Sequence, residues 1–139
     1  MITVRIESVH KDPEQVTLKK LHEIYLNIEG KVVVLVNSCA YFDESLPIVE
    51  FAVALNDWIK KPVGTSFKYE SMDEEDLDIF DITEISKGMY KLESSWQKNK
   101  CDQAVPREYI EQFVKNYITQ VRGILDEKYN INLGERVGL

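Results

Sequence analysis

Alternating hydrophobic and polar residues at the start of the chain predict β-structure. Residues 2–6 read ITVRI, with a polar residue between each pair of apolar ones, and residues 24–28 (IYLNI) alternate in the same way. The apolar stretch KVVVLVNSCAYF follows Gly30. Because a glycine turn between two strand-like runs is typical of a hairpin, we expect a β-hairpin turning at Gly30, with its second strand central in the sheet.

Two longer segments change to the helical period. In DESLPIVEFAVALNDWIKKPVG the apolar residues fall near one helical face, Asp43 or Ser45 fits the N-cap, Pro47 lies in the first turn and Pro62 ends the pattern. The second segment runs from Pro106 to about residue 129 and carries a wide apolar stripe. We therefore expect two main helices.

Three strand-like pieces separate these helices: SFKYES, DLDIFDITEI and GMYKLESSWQ, the last two joined by a hairpin turn at residues 86–88. The predicted order is β-β-β-α-β-β-β-α. Strands grouped in runs favour an α+β fold, here an antiparallel sheet of about five or six strands with two main helices packed on it. The length predicts a single domain over residues 1–139, with a mobile tail at 130–139.

Charge changes this picture most at residues 69–85, which we call the acidic segment. It contains 8 of the 24 acidic residues and no basic residue, whereas the other 16 acidic residues face 17 basic ones. The net charge of −7 is therefore gathered in one place. Such a field repels nucleic acid phosphates and attracts a basic partner, so we expect no nucleic acid binding.

The cysteines and the apolar runs bear on the compartment. Cys39 and Cys101 show no pairing motif and no metal spacing, which favours unpaired thiols in a reducing cytoplasm. The N-terminal MITVRIESVH lacks the features of a signal peptide, and the longest apolar run, VVVLV, is too short to cross a membrane. The expectation is a cytoplasmic protein without a membrane partner.

Residue patterns that carry chemistry are missing from the sequence. Its glycines form no phosphate-binding loop, and His10 and His22 lack the close spacing of metal ligands. Ser38 and Cys39 have no nucleophile motif around them, and the acidic segment lacks the glycine and spaced glutamate of an EF-hand loop. We expect no catalytic residue, no cofactor and no metal, hence a protein that is not an enzyme.

The acidic segment itself has two interpretations. It is either a solvated loop at a strand edge that keeps other chains from pairing with the sheet, or a docking surface for a basic protein. Carboxylates would supply charge-assisted hydrogen bonds, and apolar residues among them would anchor the contact. The predicted partner-binding residues are Tyr69, Glu70, Asp73, Glu74, Glu75, Asp76, Asp78 and Phe80.

The stretches YFDESLPIVEFAVALNDWI, FKYESMDEED and LESSWQ resemble small immunity proteins of bacterial polymorphic or contact-dependent toxin systems. The resemblance covers the middle half of the chain and implies a non-enzymatic protein that neutralises a cognate toxin, often a nuclease, by covering its active site. A nuclease groove is basic because it holds phosphates, so an acidic surface complements it.

Two other classes of function remain open. The first is a self-associating structural or regulatory protein, such as a homodimer formed through the long helix or a sheet edge. The second is a small-molecule binder with a pocket between sheet and helices near Tyr41, Trp58 and Trp96.

Overall fold

The computed structural model describes residues 1–11, 18–71, 78–101 and 104–139. In these ranges the chain forms an α+β fold with antiparallel strands, which confirms the predicted class. The strands are divided between two sheets instead of forming one, in the orders β1-β2-β3 and β4-β5-β6-β7. The elements are β1 (Ile2–Lys11), α1 (Leu21–Asn27), β2 (Ile28–Val36), β3 (Cys39–Pro47), α2 (Ile48–Ile59), β4 (Phe67–Tyr69), β5 (Phe80–Ser86), β6 (Met89–Glu93), β7 (Val105–Pro106), α3 (Arg107–Tyr129) and α4 (Leu133–Val137).

The hairpin predicted to turn at Gly30 is wrong in both its first strand and its turn. Residues 21–27 form α1 rather than a strand, and this helix buries Ile24 completely. Gly30 lies inside β2, opposite Leu46 of β3, and the hairpin turns instead at residues 37–38. Both turn residues have positive φ, +48° at Asn37 and +69° at Ser38, as a tight turn of this kind requires.

The helix α2 starts later than its sequence pattern predicts. Asp43 and Ser45 belong to β3, where they pair with Val33 and Lys31 of β2, so neither caps the helix. Pro47 is the N-cap residue, and α2 ends at Ile59 as expected. The strand β3 continues to Pro47 because pairing with β2 provides hydrogen-bond partners for its backbone N–H and C=O groups. No side-chain cap at Asp43 or Ser45 is needed there.

The second sheet contains the hairpin predicted at residues 86–88, where Ser86 pairs with Met89 and Gly88 has a φ of +77°. The helix α3 matches the predicted second helix closely. Its apolar stripe packs inside one continuous core with both sheets and α2, and the Tyr117 hydroxyl donates to the Ile48 carbonyl oxygen at 2.8 Å. Where a mobile tail was expected, residues 130–139 carry α4 and bury Leu133.

The position of Gly30 leads to a testable prediction about this core. A Cβ at Gly30 would lie 3.1 Å from Ile48 Cγ2 and from Val9 Cγ2, and 3.2 Å from Ile6 Cγ2. Three crowded contacts at once force the core to shift, so we expect Gly30→Ala to lower the free energy of unfolding by about 1–3 kcal/mol. Urea denaturation measures the change.

The matched control for this substitution is Gly123→Ala in α3, where a Cβ would meet nothing within 4 Å. Alanine is the better helix former at an exposed helical position, so this variant is expected to gain about 0.5–1 kcal/mol. If both variants change stability in the same direction, the close packing at Gly30 is not what constrains that residue.

Candidate functional site

The acidic segment leaves and re-enters the second sheet. It begins at the end of β4, and its later part forms β5. Of the predicted partner-binding residues, the structure describes Tyr69, Glu70, Asp78 and Phe80. The other four lie outside the described residues: Asp73, Glu74, Glu75 and Asp76.

The two aromatic residues of the predicted set belong to the core. Tyr69 is 2 % exposed, and its hydroxyl donates to Glu50 Oε1 at 2.6 Å. Phe80 is fully buried, edge-on to Phe51 and stacked on Phe113. The structure corrects the expectation that they contact a partner, because Tyr69 and Phe80 are paired across β4 and β5 on the face that packs against the helices.

The two acidic residues of the set that the structure describes are accessible. Glu70 is exposed, and the side chain of Asp78 is 54 % exposed with its Oδ1 3.9 Å from Lys68 Nζ. An ion pair this long between exposed side chains contributes little. Both carboxylates are therefore placed where a cationic partner could reach them, and their role in binding stays a prediction.

A third carboxylate of the acidic segment, Asp81, lies on the opposite face of β5 from Phe80. Across the strands it pairs with Lys68 of β4 on one side and with Glu93 of β6 on the other. Like charges directly opposite each other on antiparallel strands destabilise the pair. The second sheet thus presents Asp81 and Glu93 together on the side that faces away from the hydrophobic core.

A cavity of about 540 Å³, which we call the carboxylate pocket, opens on this face. Pockets that hold small ligands or ligand groups span about 300–1,000 Å³. The pocket draws on both sheets and on the loop after β6. The residues that give it charge and hydrogen-bonding capacity are Tyr41, Asp78, Asp81, Lys91, Glu93 and Lys100.

Two residues that line the carboxylate pocket each have a buried polar atom without a hydrogen-bond partner in the folded chain. They are the hydroxyl of Tyr41, which is 1 % exposed, and Oδ1 of Asp81, which is 6 % exposed. Nearly all buried polar groups in folded proteins are paired, because leaving one unpaired costs about 1–3 kcal/mol. The Tyr41 hydroxyl and Asp81 Oδ1 are therefore the atoms of the site at which a ligand could supply a missing hydrogen bond.

The electrostatics of the pocket follow from its crowded carboxylates. The pKa of Asp81 is raised from 3.8 to about 6. Burial is the main cause, a hydrogen bond with Asp78 and the charges of Asp78 and Glu93 act in the same direction, and the charge of Lys68 opposes them. A hydrogen bond between two carboxyl groups needs a proton on one of them. Burial, then the charges of Glu93 and Asp81, also raise the pKa of Tyr41, so its hydroxyl stays protonated.

A disulfide bond between Cys39 and Cys101 borders the pocket. It corrects the expectation of unpaired cysteines, because 62 residues separate the two positions and only the fold brings them together. The loop after β6 is also held against β3 by hydrogen bonds: the Lys98 amide donates to the Tyr41 carbonyl at 2.8 Å, and Asn99 Nδ2 donates to the Ala40 carbonyl at 2.8 Å.

The three aromatic residues proposed for a small-molecule pocket do not share one. Tyr41 lines the carboxylate pocket, but the Trp58 indole donates to the Thr65 carbonyl at 2.7 Å and lies under the Arg107 guanidinium, 5.0 Å from its ring centre. Trp96 stacks on Phe42 with ring centres 6.4 Å apart. The carboxylate pocket is lined mainly by polar side chains, and Trp58 lines a separate cavity with Asp57 and Lys61.

The sequence analysis missed the grouping of Tyr41, Asp81 and Glu93. One signal was available: Asp81 sits between the apolar residues of the strand-like run IFDITEI, so strand alternation turns it away from the core. The residues opposite it could not be identified, because they depend on the pairing of β5 with β6 and on the approach of β3.

Two further features bear on chemistry. Among the residues that the structure describes, no group of three or more His, Cys, Asp and Glu side chains is arranged to hold a metal ion. In the same residues no helix combines the length and the hydrophobicity needed to cross a membrane.

Comparison with known proteins gives a family without an assigned activity. A family model described as a domain of unknown function (DUF7878) matches residues 2–127. No curated protein and no solved structure matches the chain.

The raised pKa of Asp81 predicts a pH dependence of stability. A group that holds its proton more tightly when folded stabilises the protein below its unfolded pKa of 3.8, and this contribution is lost as the pH rises through about 6. We expect Asp81→Asn to remove this loss. The free energy of unfolding of the variant minus that of the wild type should therefore increase by up to about 3 kcal/mol when the pH is raised from about 4 to about 7. Urea denaturation at the two pH values measures it.

The control for the pH experiment is Glu127→Gln, which changes an exposed carboxylate on α3. It should follow the wild type at both pH values. An Asp81→Asn variant that loses stability with pH in parallel with the wild type would show that Asp81 is not held in the crowded, buried state described above.

The disulfide leads to a second prediction. Closing a loop of this length restricts the unfolded chain, so replacing both cysteines (Cys39→Ser with Cys101→Ser) should cost about 4 kcal/mol. Denaturation of the purified variant measures the loss, and the reduced wild type should match it. Two thiols that react with an alkylating reagent in the untreated wild-type protein would contradict the bridge.

Proposed function

This chain belongs to the DUF7878 family of domains of unknown function, and we propose that it is a non-enzymatic, acidic protein-binding module of bacteria. The observation that carries the proposal is the grouping of Asp78, Asp81 and Glu93 around one pocket, at the end of the stretch into which the sequence places four more carboxylates. Crowded carboxylates repel one another, and a cationic partner relieves that repulsion.

Within this class we propose an immunity protein that neutralises a cognate bacterial toxin, such as a nuclease, by blocking its basic active site. The concentrated negative charge of residues 69–85 supports the proposal, because complementary charge speeds encounter and fixes the orientation of the partner. The accessible carboxylates Glu70 and Asp78 belong to this segment and lie on either side of residues 72–77 in the chain.

The rival hypothesis of a homodimer through the long helix receives less support. The apolar side chains of α3 pack inside the core, including Ile110, Phe113 and Val121, which are all fully buried. The exposed large hydrophobic residues in the described ranges are Met1, Leu21, Val63 and Ile85, and they come from four different parts of the chain. A few exposed apolar residues are normal on a protein surface and do not by themselves make an interface.

The proposed compartment changes with the disulfide. A cytoplasmic location was expected on the ground of unpaired cysteines, whereas disulfides persist mainly in oxidising compartments. We therefore propose that the protein meets its partner where the Cys39–Cys101 bridge can form. Alkylation of the protein in intact cells, followed by mass measurement, tests this; fully alkylated thiols would return the proposal to the cytoplasm.

The function is tested with the protein encoded by the gene beside this chain's own. That neighbour is expressed alone and together with this chain, and growth is measured. We expect growth arrest by the neighbour alone and recovery on co-expression. A neighbour that is harmless, or that stays toxic in the presence of this chain, overturns the immunity hypothesis.

Charge reversal identifies the surface that does the binding. The triple variant Asp73→Lys, Glu74→Lys, Glu75→Lys should lose at least a hundredfold in affinity for the neighbour, because attraction at each position becomes repulsion. The affinity of the wild type should also fall as salt is added. Calorimetry or surface plasmon resonance measures both.

The matched control reverses three exposed carboxylates at the other end of the chain: Asp126→Lys, Glu127→Lys and Glu135→Lys. This variant has the same net charge as the first and should bind with at most a few-fold loss. Equal losses in the two variants would show that overall charge, rather than the acidic segment, determines binding.

A further inference from the structure

The carboxylate pocket contains two hydrogen-bonding atoms for which the folded chain supplies no partner. The Tyr41 hydroxyl and Asp81 Oδ1 are both buried, and both line the same cavity. They come from different sheets, Tyr41 from β3 and Asp81 from β5. The charge of Asp81 acts on the Tyr41 hydroxyl, so the two groups are near each other without being bonded. A group that bridges them must present at least one N–H or O–H to the carboxylate oxygen.

The charge of the pocket indicates that this bridging group is a cation. Three carboxylates line the cavity, and two of them, Asp81 and Glu93, take part in no ion pair among the described residues. Lys91 lines the same cavity, yet no ion pair in the described ranges joins it to either one. The charge of Lys68 acts on Asp81, but no ion pair among the described residues neutralises Asp81 or Glu93.

The arrangement favours an organic cation over a metal ion. Within the described ranges, no three carboxylate, histidine or cysteine side chains lie close enough together to hold a metal ion. A guanidinium carries five N–H donors in one plane, so it can serve carboxylate oxygens on two sides and still reach a hydroxyl. Lys91 and Lys100 offset part of the negative charge of the pocket, so charge alone does not select one cation over another. Selection between cations then depends on hydrogen-bond geometry, which suits a planar donor such as a guanidinium.

We propose that the carboxylate pocket receives a guanidinium group, supplied by an arginine side chain of the basic partner protein. Asp81 Oδ1 accepts from one edge of the guanidinium, Glu93 accepts from another edge, and the Tyr41 hydroxyl accepts from the remaining N–H. The source of the group, a partner protein, rests on the function proposed above, whereas the chemistry of the pocket does not. An arginine buried in a pocket beneath a charged surface is the kind of anchor that concentrates binding energy in an interface.

The chemistry of the pocket is tested on the isolated protein with a small probe. Calorimetry compares N-acetyl-arginine-N-methylamide with the citrulline analogue, which has nearly the same shape and no charge. We expect saturable binding of the arginine probe in the millimolar range or tighter, and at least tenfold weaker binding of the citrulline probe. Absence of saturable arginine binding, or equal binding of both probes, overturns the proposal.

Two variants connect the probe to the pocket. Asp81→Asn removes the carboxylate and should weaken the arginine probe at least tenfold, and Tyr41→Phe removes the hydroxyl and should weaken it several-fold. Tyr41→Phe removes a hydroxyl that lacks a partner in the folded chain, and Asp81→Asn keeps the size of the side chain and an amide that can hydrogen-bond to Asp78, so both are expected to stay folded, which thermal denaturation checks. Glu127→Gln, outside the pocket, should bind as the wild type does. An unchanged affinity in Asp81→Asn overturns the proposed site.

The last arm separates the pocket from the proposed function. Asp81→Asn should weaken binding of the neighbouring gene's product at least tenfold. If the arginine probe binds but this variant holds the protein as tightly as the wild type, the guanidinium comes from a free small molecule and the partner arginine is overturned, while the proposed function stands. If the reversal of residues 73–75 leaves protein binding intact, the proposed acidic interface fails, and arginine binding in the pocket is judged by the probe alone.

Discussion

The alternation of side chains along β5 is the constraint on which the rest of the structure depends. Phe80 and Ile82 are both fully buried, and they pair with Tyr69 and Phe67 of β4 on the core side of the sheet. The residue between them, Asp81, must therefore lie on the opposite face. A shift of one residue in register would bury the carboxylate in the core and expose the phenylalanine, so packing of the core also determines where this charge goes.

The opposite face becomes a pocket because elements distant in sequence close over it. Tyr41 belongs to the first sheet, and the loop after β6 is tied to the start of β3 by the Cys39–Cys101 bond and by two hydrogen bonds. The Ser95 amide also donates to the Asp78 carbonyl at 2.9 Å, which holds the loop beside the acidic residues. Burial without hydrogen-bond partners is thus imposed on Asp81 and Tyr41 by their surroundings, and the raised pKa values are its electrostatic consequence.

The acidic segment serves two physical purposes at once. Its aromatic residues stabilise the core, whereas its carboxylates lie in the pocket, on the surface, or outside the described residues. Proteins accept a local arrangement that lowers stability where binding requires it. The grouping of three carboxylates in one cavity is an arrangement that lowers stability in this way. The buried carboxylate of Asp81 is its central member. Under the proposed function, the exposed carboxylates would guide a basic partner towards the surface, and the pocket would provide a specific contact once it arrives.

The sequence by itself determined the α+β class, the extent of the long helix, the end of α2 and the hairpin at residues 86–88, because each depends on local periodicity or on a single turn. It also located the excess negative charge. The strand predicted at residues 24–28 was wrong for residues 24–27, which belong to α1, since the spacing of Ile24 and Ile28 satisfies both periods when read without neighbours. Only the tertiary structure divided the strands into two sheets, joined Cys39 to Cys101, buried Tyr69 and Phe80, and brought Tyr41 to Asp81. All of these rest on contacts between residues far apart in the chain, and such contacts leave no periodic trace in the order of amino acids.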